Sequence, residues 1–284
     1  MKPSLIDTHC HLHVPTYHED RDAVLLRMRK KNIWAITVGT TLTTSQEAIA
    51  LAERQKDVFA AVGYHPEHLT SSFHDELEGQ DTLPYQAKRI RELAKSSARV
   101  VAIGETGLDF FRIDADRSRK EAMRLQADAL CDHIRIAHDI GLPVIMHCRD
   151  AFGELASIVQ NEQRNGCAIQ GVVHCFTGTW EDAKPLLDLG LYLSFTGIIT
   201  FPPKKSEKPE NSIRRVIERM PADRVCVETD APWLTPVPYR GMRNEPSYVS
   251  CVANEIARLR GVSEAEIGRI TTENAARLFS LPLP

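Results

Sequence analysis

The sequence contains no run of about 18 apolar residues, the length a membrane-spanning helix requires, so no membrane partner is expected. None of its seven cysteines form a CxxC pair. An odd count in a chain of this size points to reduced thiols and a cytoplasmic location. The opening residues Met1-Lys2-Pro3-Ser4 lead straight into Leu5-Ile6-Asp7, without the apolar stretch and cleavage site of a secretory signal. Positive charge is not in excess either: 35 Lys and Arg face 38 Asp and Glu, a net charge of -3. A broad basic face for nucleic acid is therefore not expected, and any such affinity must come from local basic groups or bound metal. Internal repeats and low-complexity segments are also missing.

What remains is an ordinary globular composition, 43% hydrophobic and 26% charged over 284 residues. Short runs rich in Val and Ile recur at Ser4–Thr8, Ile33–Val38, Val58–Gly63, Arg99–Gly104, Pro143–Met146, Ile169–Val173, Leu191–Phe195 and Arg224–Glu228. Such runs suit buried parallel strands. Helix signals lie between them. Thr44-x-x-Glu47, Ser118-x-x-Glu121 and Ser263-x-x-Glu266 have the form of capping boxes. Val24, Leu25 and Met28 share one helical face, as do Leu130, Ile134 and Ala137. Strands alternating with helices predict an α/β chain folded as a TIM-like (β/α)8 barrel, with residues 1–284 as a single domain. A doubly wound open sheet is the alternative. Phe201–Asn211 and His65–Pro84 read as exposed loops, the second partly helical.

The ends of the strands carry the chemistry. The first ends in His9-Cys10-His11, the fourth in Glu105, the fifth in His147, the sixth in His174 and the eighth in Asp230. In a barrel these ends meet on one face. His9 and His11, two apart in an extended segment, point the same way and can reach one ion. Buried carboxylates are costly unless paired or bound to metal. Six nitrogen and oxygen candidates exceed the three protein ligands of a catalytic zinc, so two divalent ions bridged by a carboxylate are expected. Mg, Mn, Co and Zn all suit such ligands. Cys10, Cys148 and Cys175 stand beside ligand candidates, either as small hydrophobes packed outward or as thiolate ligands. His65, in a tight Pro turn, is either structural or functional. Arg112, Arg149, Arg240 and Arg243 are candidates for phosphate contacts or structural pairs. Lys204, Lys205 and Lys208 read as a solvated loop, with a nucleic-acid contact as the alternative.

Several stretches together resemble the TatD family of metal-dependent deoxyribonucleases. They are Ile6-Asp7-Thr8-His9-Cys10-His11, Val62-Gly63-Tyr64-His65-Pro66 and Ile103-Gly104-Glu105-Thr106-Gly107-Leu108-Asp109. Pro143–Ala151, Gly171–Gly178, Glu228–Pro236 and Arg240–Pro246 follow in the same order, and the likeness runs to Phe279. The resemblance implies a cytosolic barrel enzyme in which His9, His11, Glu105 and Asp230 hold one metal. Glu105, His147 and His174 would hold the other, with Glu105 as the bridge and His65 at the substrate. It also implies removal of nucleotides from a DNA 3′ end (3′-5′ exonuclease action), with single strands favoured and no obligate protein partner evident. Two ions would activate a water, and Asp230 would serve as general base. Tyr64, Met242 and the longer Phe201–Asn211 loop depart from the family pattern and bear on substrate choice. The same ligands could instead serve an ester, lactone or amide hydrolase, or a non-catalytic metal-containing binding protein.

Overall fold

The computed structural model describes residues 2–71, 83–114, 118–203 and 209–283. Eight strands appear where the Val and Ile runs predict them. They are β1 (Leu5–Cys10), β2 (Ile33–Val38), β3 (Val58–Val62), β4 (Val100–Asp109), β5 (Val144–Arg149), β6 (Gly171–Val173), β7 (Tyr192–Phe195) and β8 (Val225–Val227). They form one sheet in chain order, β1 to β8. The pairings β3–β4, β4–β5, β5–β6 and β7–β8 are parallel. A parallel bridge between Cys10 and Ala231 brings the end of β1 beside the segment that follows β8. The fold is the expected TIM-like (β/α)8 type rather than an open doubly wound sheet, whose strand order would reverse.

Ten helices intervene: α1 (Arg21–Lys30), α2 (Leu42–Arg54), α3 (Glu67–Thr70), α4 (Ala87–Ser96), α5 (Arg119–Ile140), α6 (Phe152–Arg164), α7 (Trp180–Asp188), α8 (Ile213–Arg219), α9 (Val249–Arg260) and α10 (Glu264–Leu278) among the described residues. The predicted stripes are buried: Val24, Leu25 and Met28 in α1, and Leu130, Ile134 and Ala137 in α5. Ser118 and Ser263 cap α5 and α10 as expected. Thr44 does not cap α2. The cap is Thr41, and Thr44 closes the box from the third helical position, its hydroxyl accepting from Thr41 N at 2.8 Å. A threonine there does the work expected of a glutamate, which moves the helix start three residues earlier. No described helix is long and apolar enough to cross a membrane.

The chain divides into two compact units. One holds the chain up to Leu12, Glu19–Ile36 and everything from His174 onward; the other holds His13–His18 and Thr37–Val173.

In the second unit β4 is longer than its apolar run predicts, continuing through Glu105 to Asp109. The β4–β5 register shifts between Ile103 and Thr106. Gly104, with φ 144°, lies inside the shift, and Gly107 follows it with φ 145° and its Cα against β5; a Cβ on Gly107 would stand 2.0 Å from His147 O. Such irregularities re-aim side chains near sites. Gly107→Ala should lower stability by about 3 kcal/mol or more, since both the backbone angle and the close approach forbid a methyl group. Urea midpoints of the variant and the wild type would check it.

His133 on α5 is fully buried. Its Nδ1 lies 2.7 Å from Ala129 O, and its ring stacks on Tyr85 at 5.4 Å. Burial lowers its pKa from 6.5 to about 4, against the opposing hydrogen bond to Ala129 and the charge of Asp132. Between those two values the unfolded chain binds more protons than the folded one, so this contribution to stability is lost as pH falls from about 6.5 to 4. At full effect the loss is about 3 kcal/mol. His133→Leu should flatten the decline of the urea midpoint across that window, by comparison with wild type.

Candidate metal centre

In the first unit the closing seam builds a cluster. Asp230 N donates to His9 O at 2.8 Å, and His11 N donates to Ala231 O at 2.7 Å. These two backbone bonds set the segment after β8 against the end of β1. Asp230 itself has φ 56°, a left-handed conformation that Asp tolerates better than most residues. Its Oδ1 then lies 3.7 Å from His9 Nε2 and 3.5 Å from His11 Nε2, while the two Nε2 atoms are 3.1 Å apart. Metal bonds of about 2.0–2.2 Å space neighbouring ligand atoms roughly 3.0–3.6 Å apart, so this donor set fits one ion. His174 stacks on His9 at 4.0 Å between ring centroids. Burial would push the Asp230 carboxyl up, but the hydrogen bond from His11 and the charges of His9 and His174 outweigh it and hold it below its ordinary value.

Two acids without a predicted role support this cluster. Asp7 is fully buried and accepts from Thr229 N at 2.8 Å, Thr229 Oγ1 at 2.6 Å and His9 N at 3.3 Å. Glu228, also fully buried, accepts from Cys175 N at 2.6 Å and stands 3.4 Å from His174 Nδ1. His9, His174 and Glu228 also group closely enough to hold an ion. The hydrogen bond from Cys175 N favours Glu228 as a group that orients His174, a common arrangement beside metal ligands. The sequence offered one signal for both: each acid alternates by two with a candidate ligand, Asp7 with His9 and Glu228 with Asp230. Cys10 Sγ donates to Ile36 O at 3.3 Å, and burial pushes its thiol up, so Cys10 packs as a small hydrophobe.

The second unit carries another cluster. Glu105 Oε1 lies 3.1 Å from His147 Nδ1 and 3.3 Å from His65 Nε2. These three residues group closely enough to hold an ion. On its other edge, His147 Nε2 is 3.1 Å from Asp109 Oδ2. Burial alone would raise the Asp109 carboxyl, but the hydrogen bond and charge of His147 outweigh it and hold it at about 2. An ionised Asp109 accepts a hydrogen bond from Nε2, which fixes the ring proton on that nitrogen. That aims the Nδ1 lone pair at a carboxylate oxygen, an arrangement of two acceptors that a cation resolves. Asp109 is a buried acid at the true end of β4, a position its Val and Ile run does not reveal because the strand is longer than that run.

His65 differs from a ligand in its tautomer. Its Nδ1 accepts from Glu67 N at 3.2 Å, which leaves the ring proton on Nε2, facing Glu105. Burial lowers its pKa to about 4, opposed by the charge of Glu105, so the ring is neutral at ordinary pH.

The predicted arginines separate. Arg112 Nη1 donates to both Glu67 oxygens at 2.9 Å, and Arg243 Nη2 donates to Asp20 at 2.6 and 2.8 Å. Arg149 stacks over the Phe111 ring at 3.8 Å, and Arg240 over Phe201 at 3.8 Å. The N-cap of α6 is Ala151, with no side-chain bond. Asn244 Nδ2 donates to Thr229 O and Trp233 O, and Glu245 pairs with Arg27; both brace the loop after β8. Lys204, Lys205 and Lys208 lie outside the described residues.

The fold is of the (β/α)8 class, and its nitrogen–oxygen clusters have donor types and spacings that suit metal ions. The family described as TatD related DNase matches residues 6–280. The uncharacterized metal-dependent hydrolase YabD of Bacillus subtilis is 38% identical over 278 residues, covering 98% of this chain and 99% of its own. The 3'-5' ssDNA/RNA exonuclease TatD of Cronobacter sakazakii is 34% identical over 270 residues, 93% of each chain. The crystal structure of the TatD homolog YJJV from Escherichia coli K12 superimposes with a TM-score of 0.82 at 28% identity, covering 99% of this chain and 100% of that one. The chain belongs to the TatD-related DNase family.

Proposed function

We propose that the protein is a single-domain 3′-5′ exonuclease that hydrolyses DNA phosphodiester bonds, single strands or 3′ ends, with two divalent ions among Mg, Mn, Co and Zn. The observation that carries this reading is the pair of donor sets, His9–His11–Asp230 and Glu105–His147, each with ligand atoms at metal-coordination spacing. In this reading His174 would join Glu105 and His147 as a ligand of the second ion, and Glu105 would serve both. Support for the substrate comes from the family description and from the relative named as a ssDNA/RNA exonuclease. Bound ions would supply Lewis-acid chemistry, lowering the pKa of a water and offsetting charge on phosphoryl oxygens.

The chain's own groups do the rest. Asp230, held ionised, orients the attacking water and accepts its proton. His65, neutral and protonated on Nε2, presents a donor toward the substrate. Asp109 holds the tautomer of His147, and Glu228, 3.4 Å from His174 Nδ1, stands where it would orient that ring. All seven cysteines are free, which suits the reducing cytoplasm where we place the protein.

The test is a substrate panel after chelation and reloading with Mg, Mn, Co or Zn. Shortening of a 5′-labelled single-stranded oligonucleotide from its 3′ end is the expected result. Cleavage of a lactone, ester or amide with the oligonucleotide left intact would transfer the same site to a small-molecule hydrolase.

A further inference from the structure

Phe111 is 60% exposed, the largest exposure among the described large apolar side chains. A lone exposed apolar residue is ordinary on a protein surface. Three features of the second unit make this one different. First, its backbone is fixed: Asp109 Oδ1 accepts from Phe111 N and Arg112 N, both at 2.9 Å, while Asp109 Oδ2 lies 3.1 Å from His147 Nε2. One buried carboxylate therefore anchors both the aromatic ring and a ligand histidine. Second, the Arg149 guanidinium covers the ring at 3.8 Å. Among the described residues no carboxylate pairs with Arg149, whereas Arg112 and Arg243 are paired with Glu67 and Asp20. Third, Arg149 is two residues beyond His147 on β5, so both project from the same strand face, with buried Cys148 on the other. Phe110 N donates to Arg149 O at 3.0 Å and ties the two strand ends together.

We propose that Phe111 and Arg149 form a stacking platform for an unpaired nucleobase beside the scissile nucleotide, the base lying on the ring and the guanidinium meeting the adjacent phosphate. The inference rests on the nucleic-acid reading above and adds to it the part of the substrate that is gripped. Every base has a π-face, so such a platform tolerates sequence but demands an unstacked base. This chain, with no excess of positive charge, thus gains affinity for single strands from one aromatic and one cation rather than from a broad basic surface.

The experiment pairs binding with turnover. Binding is read in EDTA from the fluorescence of a 2-aminopurine near the 3′ end of a short single-stranded oligonucleotide. Turnover is read on the metal-loaded enzyme. Phe111→Ala should weaken binding and raise KM by about 5- to 100-fold, and Phe111→Trp should restore both, because indole keeps the stack. The loss should be at least about 5-fold smaller on an oligonucleotide whose terminal units are abasic, since only the base meets the ring. Equal losses on normal and abasic strands, or no loss at all, would overturn the platform while leaving the nuclease reading intact. If wild type binds the oligonucleotide through Phe111 but never cleaves it, the platform stands and the nuclease reading falls. A wild type that neither binds nor cleaves overturns both.

Discussion

Asp230→Asn is expected to lower kcat by about 10²- to 10⁴-fold, the range that a positioned general base supplies, while the protein keeps its fold. The carboxylate stands 3.5 Å from His11 Nε2 and 3.7 Å from His9 Nε2, in a backbone conformation that Asn adopts as readily as Asp. Thermal unfolding should shift little, because Asp230 N and Asp230 O keep their bonds to His9 and Trp233. Measuring kcat together with metal content separates the two roles assigned to this residue. A rate loss at full metal occupancy isolates the base, and a parallel loss of metal identifies a ligand. Unchanged turnover would remove Asp230 from the chemistry and leave the general base to another group.

The second large effect concerns metal stoichiometry. If Glu105 serves both ions, Glu105→Gln should lower the metal content from about two per chain to below one and abolish turnover. His147→Ala removes ligands from one ion only and should leave about one. Asp109→Asn, which leaves the ligand in place but alters the partner of His147 Nε2, should weaken metal affinity by about 10- to 100-fold, the usual cost of losing such a partner. Elemental analysis after dialysis against limiting metal distinguishes these outcomes. Equal stoichiometry in Glu105→Gln and His147→Ala would contradict the bridging role.

These residues differ in how far the sequence alone reveals them. All eight strands are local apolar runs, and each appears within a few residues of its expected bounds, except β4, which extends five residues past its apolar run. The candidate ligands were equally legible, because His9, His11, Glu105, His147, His174 and Asp230 all sit on or just past a strand. Asp109 was not, since its strand continues past the apolar run through Gly104 and Gly107, whose conformations follow from contact with β5. The arginines were the least legible. Arg112, Arg149 and Arg243 are alike in the sequence as isolated charges past the apolar runs, yet one meets Glu67, one an aromatic ring and one Asp20.

By itself, then, the sequence determined the strand count, the helix faces and the chemical types at the strand ends, because each depends on residues near one another in the chain. Tertiary structure alone decided which nitrogen of His65 carries the proton, which carboxylate meets His147 Nε2, and which arginine stacks on an aromatic ring instead of pairing with an acid. Those outcomes depend on hydrogen bonds and ion pairs between segments distant in sequence. Side-chain identity lists the possible partners, and only packing selects one.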